Sequence, residues 1–432
     1  MHHVILGAGP AGVTAAETLR ARDKAAEITL ISGEEAPPYS RMAIPYLLQG
    51  NIKEQGTYLR QTAGHYENHG IKVMHGRAGG LDTVGKRLFL SGAEIKYDRL
   101  LLATGASPIL PPIDGANLPG VHSCWTLADA REIVKLVDKG APVVLCGAGF
   151  IGSIVLEALH ARGADLTVVE LAPRMVARMM DETAGGMLKR WCEAKSVRVM
   201  TGARVEKITA IDDKGGGGPL RVWLSNGSPL VARLVVMAVG VRPNAGFLVG
   251  SGVAVDRGIR VDEHLQTTAS NVYAAGDCCE GIDLSTGKPD MLAIQPTAVE
   301  HGRCAALNMS GLPTSHRGSL NMNVLDTMGL ISSSFGLWQG ATRGASAKQI
   351  DEKAFRYMRL EFQDDRIVGA QCVGHTENIG ILRGLIQTRI QLGGWKGRLM
   401  RSPERVMEAY VATAQGMPGF GPGAPHVKLP TV

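Results

Sequence analysis

Apolar residues lie in short, uninterrupted runs along much of the chain, and several of these runs end next to a glycine. Residues 3–7 and 142–146 are two such runs, and each is followed by a longer helix-forming stretch. A second run, apolar except for its terminal acids and one threonine, follows each stretch, at residues 27–31 and 165–170. Continuous apolar runs of this length are typical of strands buried on both faces of a parallel sheet. The order strand, helix, strand therefore predicts two βαβ units that repeat after about 140 residues.

The rest of the chain continues this pattern and then departs from it. Further apolar runs at residues 234–238 and 271–275 again lie next to glycine. From about residue 318 onward, segments with alternating apolar and polar positions, such as residues 355–362, predict strands of an antiparallel sheet, and helical stretches follow them. Residues 416–432 are rich in Gly and Pro, which predicts a poorly packed, flexible tail. The predicted fold class is α/β, with an α+β domain towards the C-terminus.

The first strand of each unit runs into a Gly-x-Gly-x-x-Gly loop, at residues 7–12 and 147–152. In such a loop the first glycine makes the turn, the second lets the backbone approach a pyrophosphate, and the third lets the helix pack closely. The N–H groups at the helix N-terminus then hold the phosphate charge. Each unit also carries an acid after its second strand, suited to a ribose hydroxyl: Glu170 in the second unit and Glu34, with Glu35 as an alternative, in the first. We therefore predict two dinucleotide sites.

The acid of the second unit bears on which nicotinamide coenzyme binds. A carboxylate at Glu170 favours NADH, because NADPH would place a 2′-phosphate beside it. Arg174 follows four residues later and leaves NADPH open as an alternative.

Composition excludes several other classes of protein. The net charge of +6 is small for 432 residues, and no Lys/Arg block predicts a nucleic-acid site. No apolar run approaches the ~18 residues of a membrane span, and the N-terminus does not resemble a signal peptide. The seven cysteines are scattered without a Cys-x-x-Cys pair, which argues against a disulfide framework and a zinc site. We predict a cytoplasmic protein with no bound metal.

Three further motifs, together with the glycine loops, identify a family resemblance. They are Leu-Ala-Thr-Gly at residues 102–105, Ala-Val-Gly-Val-Arg-Pro-Asn at residues 238–244, and the segment 267–277, which ends in Ala-Ala-Gly-Asp. Over about residues 3–385 the chain resembles the two-dinucleotide-binding-domain flavoproteins of the pyridine nucleotide–disulfide oxidoreductase superfamily. The resemblance implies two Rossmann-like domains, one for FAD and one for NAD, and a C-terminal α+β interface domain that pairs two subunits. The implied boundaries are 1–113 with 240–318 for FAD, 114–239 for NADH, 319–415 for the interface domain and 416–432 for the tail.

The resemblance also implies which residues contact each cofactor. The Asp277 carboxylate would bind the ribityl chain, Arg41 and Arg131 would neutralise the FAD phosphates, and Glu300 and His301 would lie at the pyrimidine end of the flavin. The alternative for the two arginines is a solvated surface charge, and for His301, which follows an apolar helix-like run, an acid–base role is the weaker interpretation. The residues assigned to FAD are Gly7, Gly9, Pro10, Ala11, Gly12, Glu34, Arg41, Ala78, Thr104, Gly105, Arg131, Asp277, Glu300 and His301. Those assigned to NAD are Gly147, Gly149, Ile151, Gly152, Glu170 and Gly240.

The branches of this superfamily differ in how the reduced flavin loses its electrons. One branch carries a Cys-x4-Cys disulfide, and the corresponding region here, residues 38–46, contains no cysteine. A second branch, which includes coenzyme A–disulfide reductases and water-forming NADH oxidases, carries a single cysteine before Gly-Leu-Pro-Tyr-Tyr. Residues 43–47 are similar to that motif and place Met42 at the cysteine position. Because a thioether cannot become a thiolate nucleophile, thiol chemistry at this position is excluded.

A third branch contains the ferredoxin and rubredoxin reductases, which pass single electrons to an iron–sulfur partner. Tyr46 occupies the position of that branch's lysine near the flavin, and Ile154 the position of its partner glutamate. Losing both charges together is coherent, since either charge alone would be buried without a partner. The Phe-Trp-Ser-x-Gln element of that branch is absent from residues 318–323. Similar departures occur in flavin subunits attached to nitrite reductases and other iron–sulfur enzymes.

These observations together predict an FAD-dependent NADH:acceptor oxidoreductase. Hydride would pass from NADH to flavin N5, and electrons would then pass to an external redox partner such as a ferredoxin-like iron–sulfur protein. Met42 and Tyr46 are predicted to lie near the flavin, and no residue is assigned as a catalytic acid or base. The chain would be a homodimer or a subunit of a larger complex. The alternatives are an NADH oxidase that reduces oxygen and a non-catalytic NADH- and FAD-binding assembly or sensor protein.

Overall fold

The computed structural model describes residues 1–211, 218–227 and 229–414. The tail predicted for residues 416–432 lies outside the described residues. The chain forms two compact units, each made of several segments. The first consists of Met1–Gly147, Ala158–Leu166 and Val205–Ser319, and the second of Ala148–Glu157, Thr167–Arg204 and the described part of Leu320–Val432. The three-domain division given above stays a prediction.

A five-stranded sheet with the order β19-β7-β1-β2-β3 organises the first unit, and its strands all run parallel. The strands of this sheet are β1 (His2–Leu6), β2 (Glu27–Ser32), β3 (Ile71–His75), β7 (Arg99–Leu102) and β19 (Val272–Ala274). Alternate residues of the central strands point into two separate cores. Ile5 and Leu101 pack on the side of helices α1 (Pro10–Arg22) and α7 (Gln295–Met309), while Leu6 and Leu102 pack on the opposite side. Both faces are therefore buried, as the apolar runs predict.

The first unit also contains smaller sheets. Strand β10 pairs in parallel with β16, and β16 with β9. The antiparallel sheets are β4-β5-β6 and β13-β14-β15, while β8 pairs with β17, and β20 lies between β18 and β21. The additional helices are α2 (Ile44–Gln49), α3 (His65–Asn68) and α4 (Leu127–Leu136). The additional strands are β4 (Ala78–Asp82), β5 (Arg87–Leu90), β6 (Ala93–Lys96), β8 (Ala106–Pro108), β9 (Val121–Ser123), β10 (Pro142–Cys146), β13 (Val205–Ala210), β14 (Leu220–Leu224), β15 (Leu230–Ala232), β16 (Leu234–Met237), β17 (Val241–Pro243), β18 (Ile259–Arg260), β20 (Cys279–Ile282) and β21 (Pro289–Asp290).

The second unit contains an antiparallel sheet with the order β22-β23-β26-β25-β24. One face of this sheet, with Leu360 and Phe362, packs against apolar residues of the C-terminal helices. Thr167–Glu170 of β11 pairs in parallel with β12. The strands are β11 (Asp165–Glu170), β12 (Arg198–Thr201), β22 (Met322–Thr327), β23 (Leu330–Gly336), β24 (Ala345–Asp351), β25 (Arg356–Gln363) and β26 (Arg366–Val373). The helices are α5 (Phe150–Ala161), α6 (Glu182–Ala194), α8 (Ile379–Thr388), α9 (Gly394–Leu399) and α10 (Val406–Ala414).

The parallel sheets with flanking helices and the C-terminal antiparallel sheet confirm the predicted fold class. Strand β11 and helix α5 each contribute residues to both units. Among the described residues, no helix is both long enough and apolar enough to span a membrane.

Candidate cofactor sites

The first glycine loop follows β1 and has three glycines with different surroundings. Gly7 has φ +117°, and a Cβ atom there would lie 2.1 Å from the carbonyl oxygen of Ala103. A Cβ atom at Gly12 would lie 1.8 Å from the carbonyl oxygen of Gly7. At Gly9, by contrast, an added Cβ atom would meet no protein atom within 4 Å. The outer glycines are thus required by packing, and the middle one leaves open space where backbone can approach a phosphate.

Glu34 lies just beyond β2 and is joined by Arg41. Its carboxylate accepts hydrogen bonds from Arg41 Nη2 and from the Tyr39 hydroxyl, both at 2.7 Å. The Arg41 guanidinium also donates to the Trp125 carbonyl oxygen at 2.7 Å and lies 5.4 Å from the Trp125 ring centroid. Glu35 is exposed, whereas Glu34 is half-buried. The structure therefore brings together Glu34, which was assigned to the ribose, and Arg41, which was assigned to the FAD phosphates.

Two further residues assigned to FAD, Arg131 and Ala78, lie at different places. Arg131 lies on α4 and forms a bidentate ion pair with Glu54, at 2.6 and 2.8 Å. This pairing holds the pKa of Glu54 below its usual value. Ala78 is half-buried at the start of β4, opposite Leu90. Their contact with FAD stays a prediction.

The motif at residues 102–105 contacts the motif at residues 238–244, which the sequence did not predict. Strands β8 and β17 are paired antiparallel. The Thr104 hydroxyl donates to the Asn244 carbonyl oxygen at 2.8 Å, and Asn244 Nδ2 donates back to the Thr104 carbonyl oxygen at 2.9 Å. The Asn244 N–H donates to the Gly105 carbonyl oxygen at 2.9 Å. Gly240, at φ +126°, lies immediately before β17. The signal available in the sequence was that both motifs follow an apolar run.

Asp277 lies beside the first glycine loop, because a Cβ atom at the adjacent Gly276 would lie 3.4 Å from the Ala11 Cβ atom. The Asp277 carboxylate makes no hydrogen bond with any residue that the structure describes. Burial raises its pKa, and the charge of Arg41 opposes that rise. A carboxylate that is partly removed from water needs hydrogen-bond donors. The hydroxyl groups of a ribityl chain would supply them, so this residue and the open loop at Gly9 fit FAD.

Glu300 and His301 are adjacent on α7 but have different surroundings. The Glu300 side chain is 55% exposed, and its Oε2 lies 3.8 Å from His316 Nε2. The interaction with His316 lowers the pKa of Glu300. His301 is only 1% exposed, and burial lowers its pKa to about 3. The buried imidazole is therefore neutral near pH 7.

Met42 and Tyr46 lie on a short 3-10 turn (Arg41–Ala43) and on the following helix α2. Met42 is 47% exposed and Tyr46 is 55% exposed. The neighbouring Ser40 hydroxyl donates to Gln295 Oε1 at 2.5 Å, which links this turn to the start of α7. The predicted position of Met42 and Tyr46 near the flavin stays a prediction.

The second glycine loop repeats the features of the first. Gly147 has φ +101°, and a Cβ atom there would lie 2.4 Å from the Ala238 carbonyl oxygen. A Cβ atom at Gly149 would meet no protein atom within 4 Å. After these residues, Ile151 is half-buried and Gly152 is buried at the start of α5.

Glu170 contacts the backbone of this loop. Its carboxylate accepts from the N–H groups of Ala148 at 2.6 Å and Ala172 at 2.7 Å. Arg174 donates to the carbonyl oxygens of Met180 and Ala177, at 3.0 and 3.3 Å. Both the Glu170 carboxylate and the Arg174 guanidinium are thus held by nearby backbone groups, and the role of Glu170 in selecting NADH stays a prediction. The geometry is consistent with a preference for NADH.

All seven cysteines are buried and none is in a disulfide. Burial raises the pKa of the Cys304 thiol to about 11 and those of four others to about 12. Those four are Cys124, Cys146, Cys192 and Cys372. The adjacent Cys278 and Cys279 donate to the carbonyl oxygens of Ala275 and Gly276, both at 3.4 Å. No group of three or more potential metal ligands occurs in the described part of the chain.

The glycine loops and parallel sheets define a dinucleotide-binding oxidoreductase. Residues 1–302 match the model of the pyridine nucleotide-disulphide oxidoreductase family, and the chain belongs to that family. It is an FAD-dependent NAD(P)H oxidoreductase, and its cofactors are FAD and NADH.

Similar proteins include three that cover most of the chain. Subunit epsilon of the NADH-dependent phenylglyoxylate dehydrogenase from Aromatoleum evansii is 29% identical, over 93% of this chain and 95% of the relative. Rhodocoxin reductase from Rhodococcus erythropolis is 33% identical, over 73% of this chain and 74% of the relative. The structure of a NAD-dependent persulfide reductase from A. fulgidus has a TM-score of 0.82 and 28% identity, and covers 91% of this chain and 78% of that one.

Proposed function

We propose that this chain oxidises NADH through FAD and passes the electrons to a separate redox protein of the iron–sulfur type, without a protein thiol. The observation that carries the proposal is the identity of residue 42. Met42 stands at the cysteine position of the thiol-dependent branch, and each of the seven cysteines is buried. A methionine cannot form a disulfide, and a buried thiol is shielded from a reaction partner.

FAD, when bound, supplies the capacity to accept a hydride and to release electrons one at a time. The chain's residues bind and orient the two cofactors. Gly9 and Gly149 admit the pyrophosphates, the Asp277 carboxylate accepts hydroxyl hydrogen bonds, and the Glu170 carboxylate selects the ribose of NADH. None of these roles requires an acid or base from the protein in the first half-reaction.

The nature of the acceptor rests on relatives and on charge. One similar protein is named a reductase of rhodocoxin, and another is named a subunit of an NADH-dependent dehydrogenase. The net charge of +6 is compatible with an acidic partner. We place the protein in the reducing cytoplasm, since its seven cysteines are unpaired, and we propose that it works as a homodimer or as one subunit of a larger complex.

Anaerobic reduction followed by rapid mixing tests this function. NADH is expected to bleach the flavin absorbance of the purified protein. The reduced protein is then mixed with a [2Fe–2S] ferredoxin, with a rubredoxin or with air-saturated buffer. We expect at least one of the two iron–sulfur proteins to reoxidise the flavin at least tenfold faster than oxygen does. Faster reoxidation by oxygen would establish an NADH oxidase, and flavin that NADH does not bleach would establish a non-catalytic protein.

A substitution at Met42 tests the absence of a sulfur relay. Met42→Leu keeps a side chain of similar volume and polarity but removes the sulfur atom. We expect unchanged rates of flavin reduction by NADH and of reoxidation by the iron–sulfur protein. A rate reduced tenfold or more, with full FAD content, would show that the sulfur takes part and would contradict the proposal.

A further inference from the structure

The buried imidazole of His301 contacts the segment that presents Asp277. His301 Nδ1 lies 3.4 Å from the backbone nitrogen of Gly276, whose N–H donates to it. The Cys279 sulfur lies 3.7 Å from the same ring nitrogen. His301 therefore touches the residue before Asp277 and the second residue after it, and both contacts are made by one atom.

The position of His301 is fixed by close packing on both sides. A Cβ atom at the adjacent Gly302 would lie 2.2 Å from the Ala11 carbonyl oxygen, so helix α7 rests directly on the first glycine loop. On the other side, a Cβ atom at Gly281 would lie 2.6 Å from His301 Cε1 and 2.8 Å from Nε2. The ring occupies the space that glycine leaves on β20. It cannot move without moving the segment from Gly276 to Gly281.

The ring is also held in one protonation state. Because the Gly276 N–H points at Nδ1, this nitrogen is the acceptor, and the proton of the neutral ring is on Nε2. Nε2 is buried and has no hydrogen-bond partner among the residues that the structure describes. The edge of His316 packs against the ring at a centroid distance of 4.6 Å. A fully buried polar atom without a partner costs stability, so simple packing would favour an apolar residue here.

We propose that His301 is a positioning residue for FAD binding: its Nδ1 fixes the Gly276–Asp277 turn and thereby the carboxylate of Asp277. The residue acts through the turn and not by contact with the flavin. This role concerns how the chain holds its cofactor and is independent of the electron acceptor proposed above.

Two substitutions, one with a hydrogen-bond acceptor and one without, separate positioning from packing. His301→Asn places an amide oxygen three bonds from Cα, where Nδ1 is now, and keeps an acceptor for the Gly276 N–H. His301→Leu keeps nearly the volume of the histidine side chain but has no hydrogen-bond acceptor. We expect the dissociation constant for FAD to rise about tenfold in the Leu variant, the loss expected for one buried hydrogen bond, and to stay within about threefold of the original in the Asn variant.

The measurement is titration of FAD into apoprotein, followed by the change in flavin fluorescence. Met309→Ala serves as the matched control, because Met309 is fully buried at the end of the same helix, eight residues beyond His301. It should lower the melting temperature and leave FAD affinity unchanged. A packing role for His301 predicts the opposite order for the pair, with Leu at least as good as Asn. That order would overturn the proposal.

A second variant keeps the test decisive if His301→Leu does not fold. In Gly281→Ala the new methyl group would press against the imidazole and displace it, although the histidine itself is retained. This variant should weaken FAD binding about tenfold. Asn lacks the Cε1 and Nε2 atoms that this methyl group meets. The double variant Gly281→Ala with His301→Asn should therefore recover affinity to within about threefold of the original protein. No recovery in the double variant would refute the positioning role. Since no acceptor enters these titrations, their outcome leaves the proposed electron transfer untouched.

Discussion

The two glycine loops allow a test of which loop holds which cofactor. The middle glycine of each loop, Gly9 or Gly149, has no protein atom within 4 Å of an added Cβ atom. At Gly9 the backbone is also compatible with alanine, with φ −79° and ψ −172°. Replacing either glycine with alanine should therefore change the free energy of unfolding by no more than about 0.5 kcal/mol. Any larger effect must come through the cofactor.

The size of that effect follows from the space a methyl group fills. A methyl group forced into a close-packed contact costs about 1–3 kcal/mol. Such a cost corresponds to a roughly ten- to hundredfold increase in the dissociation constant. We expect Gly9→Ala to weaken FAD by this factor and to leave NADH affinity unchanged. Gly149→Ala should weaken NADH and leave FAD unchanged.

Titration calorimetry with each cofactor separates the two effects. NADH is titrated anaerobically into protein whose bound FAD has first been reduced with dithionite, so that no hydride transfer adds heat, and FAD is titrated into apoprotein. Gly12→Ala is the contrasting control: its Cβ atom would lie 1.8 Å from the Gly7 carbonyl oxygen, so the variant should lose folding stability as well as FAD. If Gly9→Ala weakened NADH instead, or if both affinities stayed unchanged, the assignment of the loops would be wrong.

Two further predictions concern charge and protonation. Glu170→Ala removes the carboxylate that would favour NADH. The ratio of kcat/KM for NADH to kcat/KM for NADPH, assayed with ferricyanide as acceptor, should therefore fall at least about tenfold. An unchanged ratio would contradict the role of Glu170. The pKa of His301 is about 3 in the folded protein and 6.5 in the unfolded chain. Between pH 3 and pH 6.5 the unfolded state therefore binds more protons than the folded state, so folding stability is lost as the pH falls below about 6.5. At pH 5 the loss of folding stability amounts to about 2 kcal/mol, and the His301→Asn variant should not show it. Urea titrations of both proteins at pH 7.5 and pH 5, with saturating FAD, measure this loss. Equal losses in the two proteins would refute a buried neutral ring beside Glu300, His316 and Cys279.

The parts of the fold that the sequence predicts are those governed by local rules. Continuous apolar runs predicted strands buried on both faces, and Leu6 and Ile5 do point into two different cores. The glycine spacing predicted tight turns, and Gly7 and Gly147 both adopt positive φ angles. Such features depend on a few neighbouring residues and on the requirement that buried backbone groups be paired. They can therefore be inferred from one chain.

Contacts between distant segments could not be inferred in the same way. The hydrogen bonds between Thr104 and Asn244 join residues 140 apart, and nothing in either motif specifies the other. Likewise, no motif indicated that Arg41 would bind the carbonyl oxygen of Trp125, 84 residues away. A backbone carbonyl accepts a hydrogen bond whatever its side chain is, so the sequence carries no signal for such a contact.

The identity of residue 42 links the sequence and the structure in one argument about electron flow. A thiol relay needs a cysteine that can ionise and that a partner can reach. Met42 is exposed at the position of that cysteine but cannot ionise, whereas the seven cysteines are buried, and burial raises the pKa of thiols such as Cys146 far above neutral pH. Met42 fails the first requirement and the buried cysteines fail the second, so none of these residues meets both. On the proposed mechanism, electrons that arrive from NADH leave directly from the flavin, and the acceptor's access to FAD then decides what this enzyme reduces.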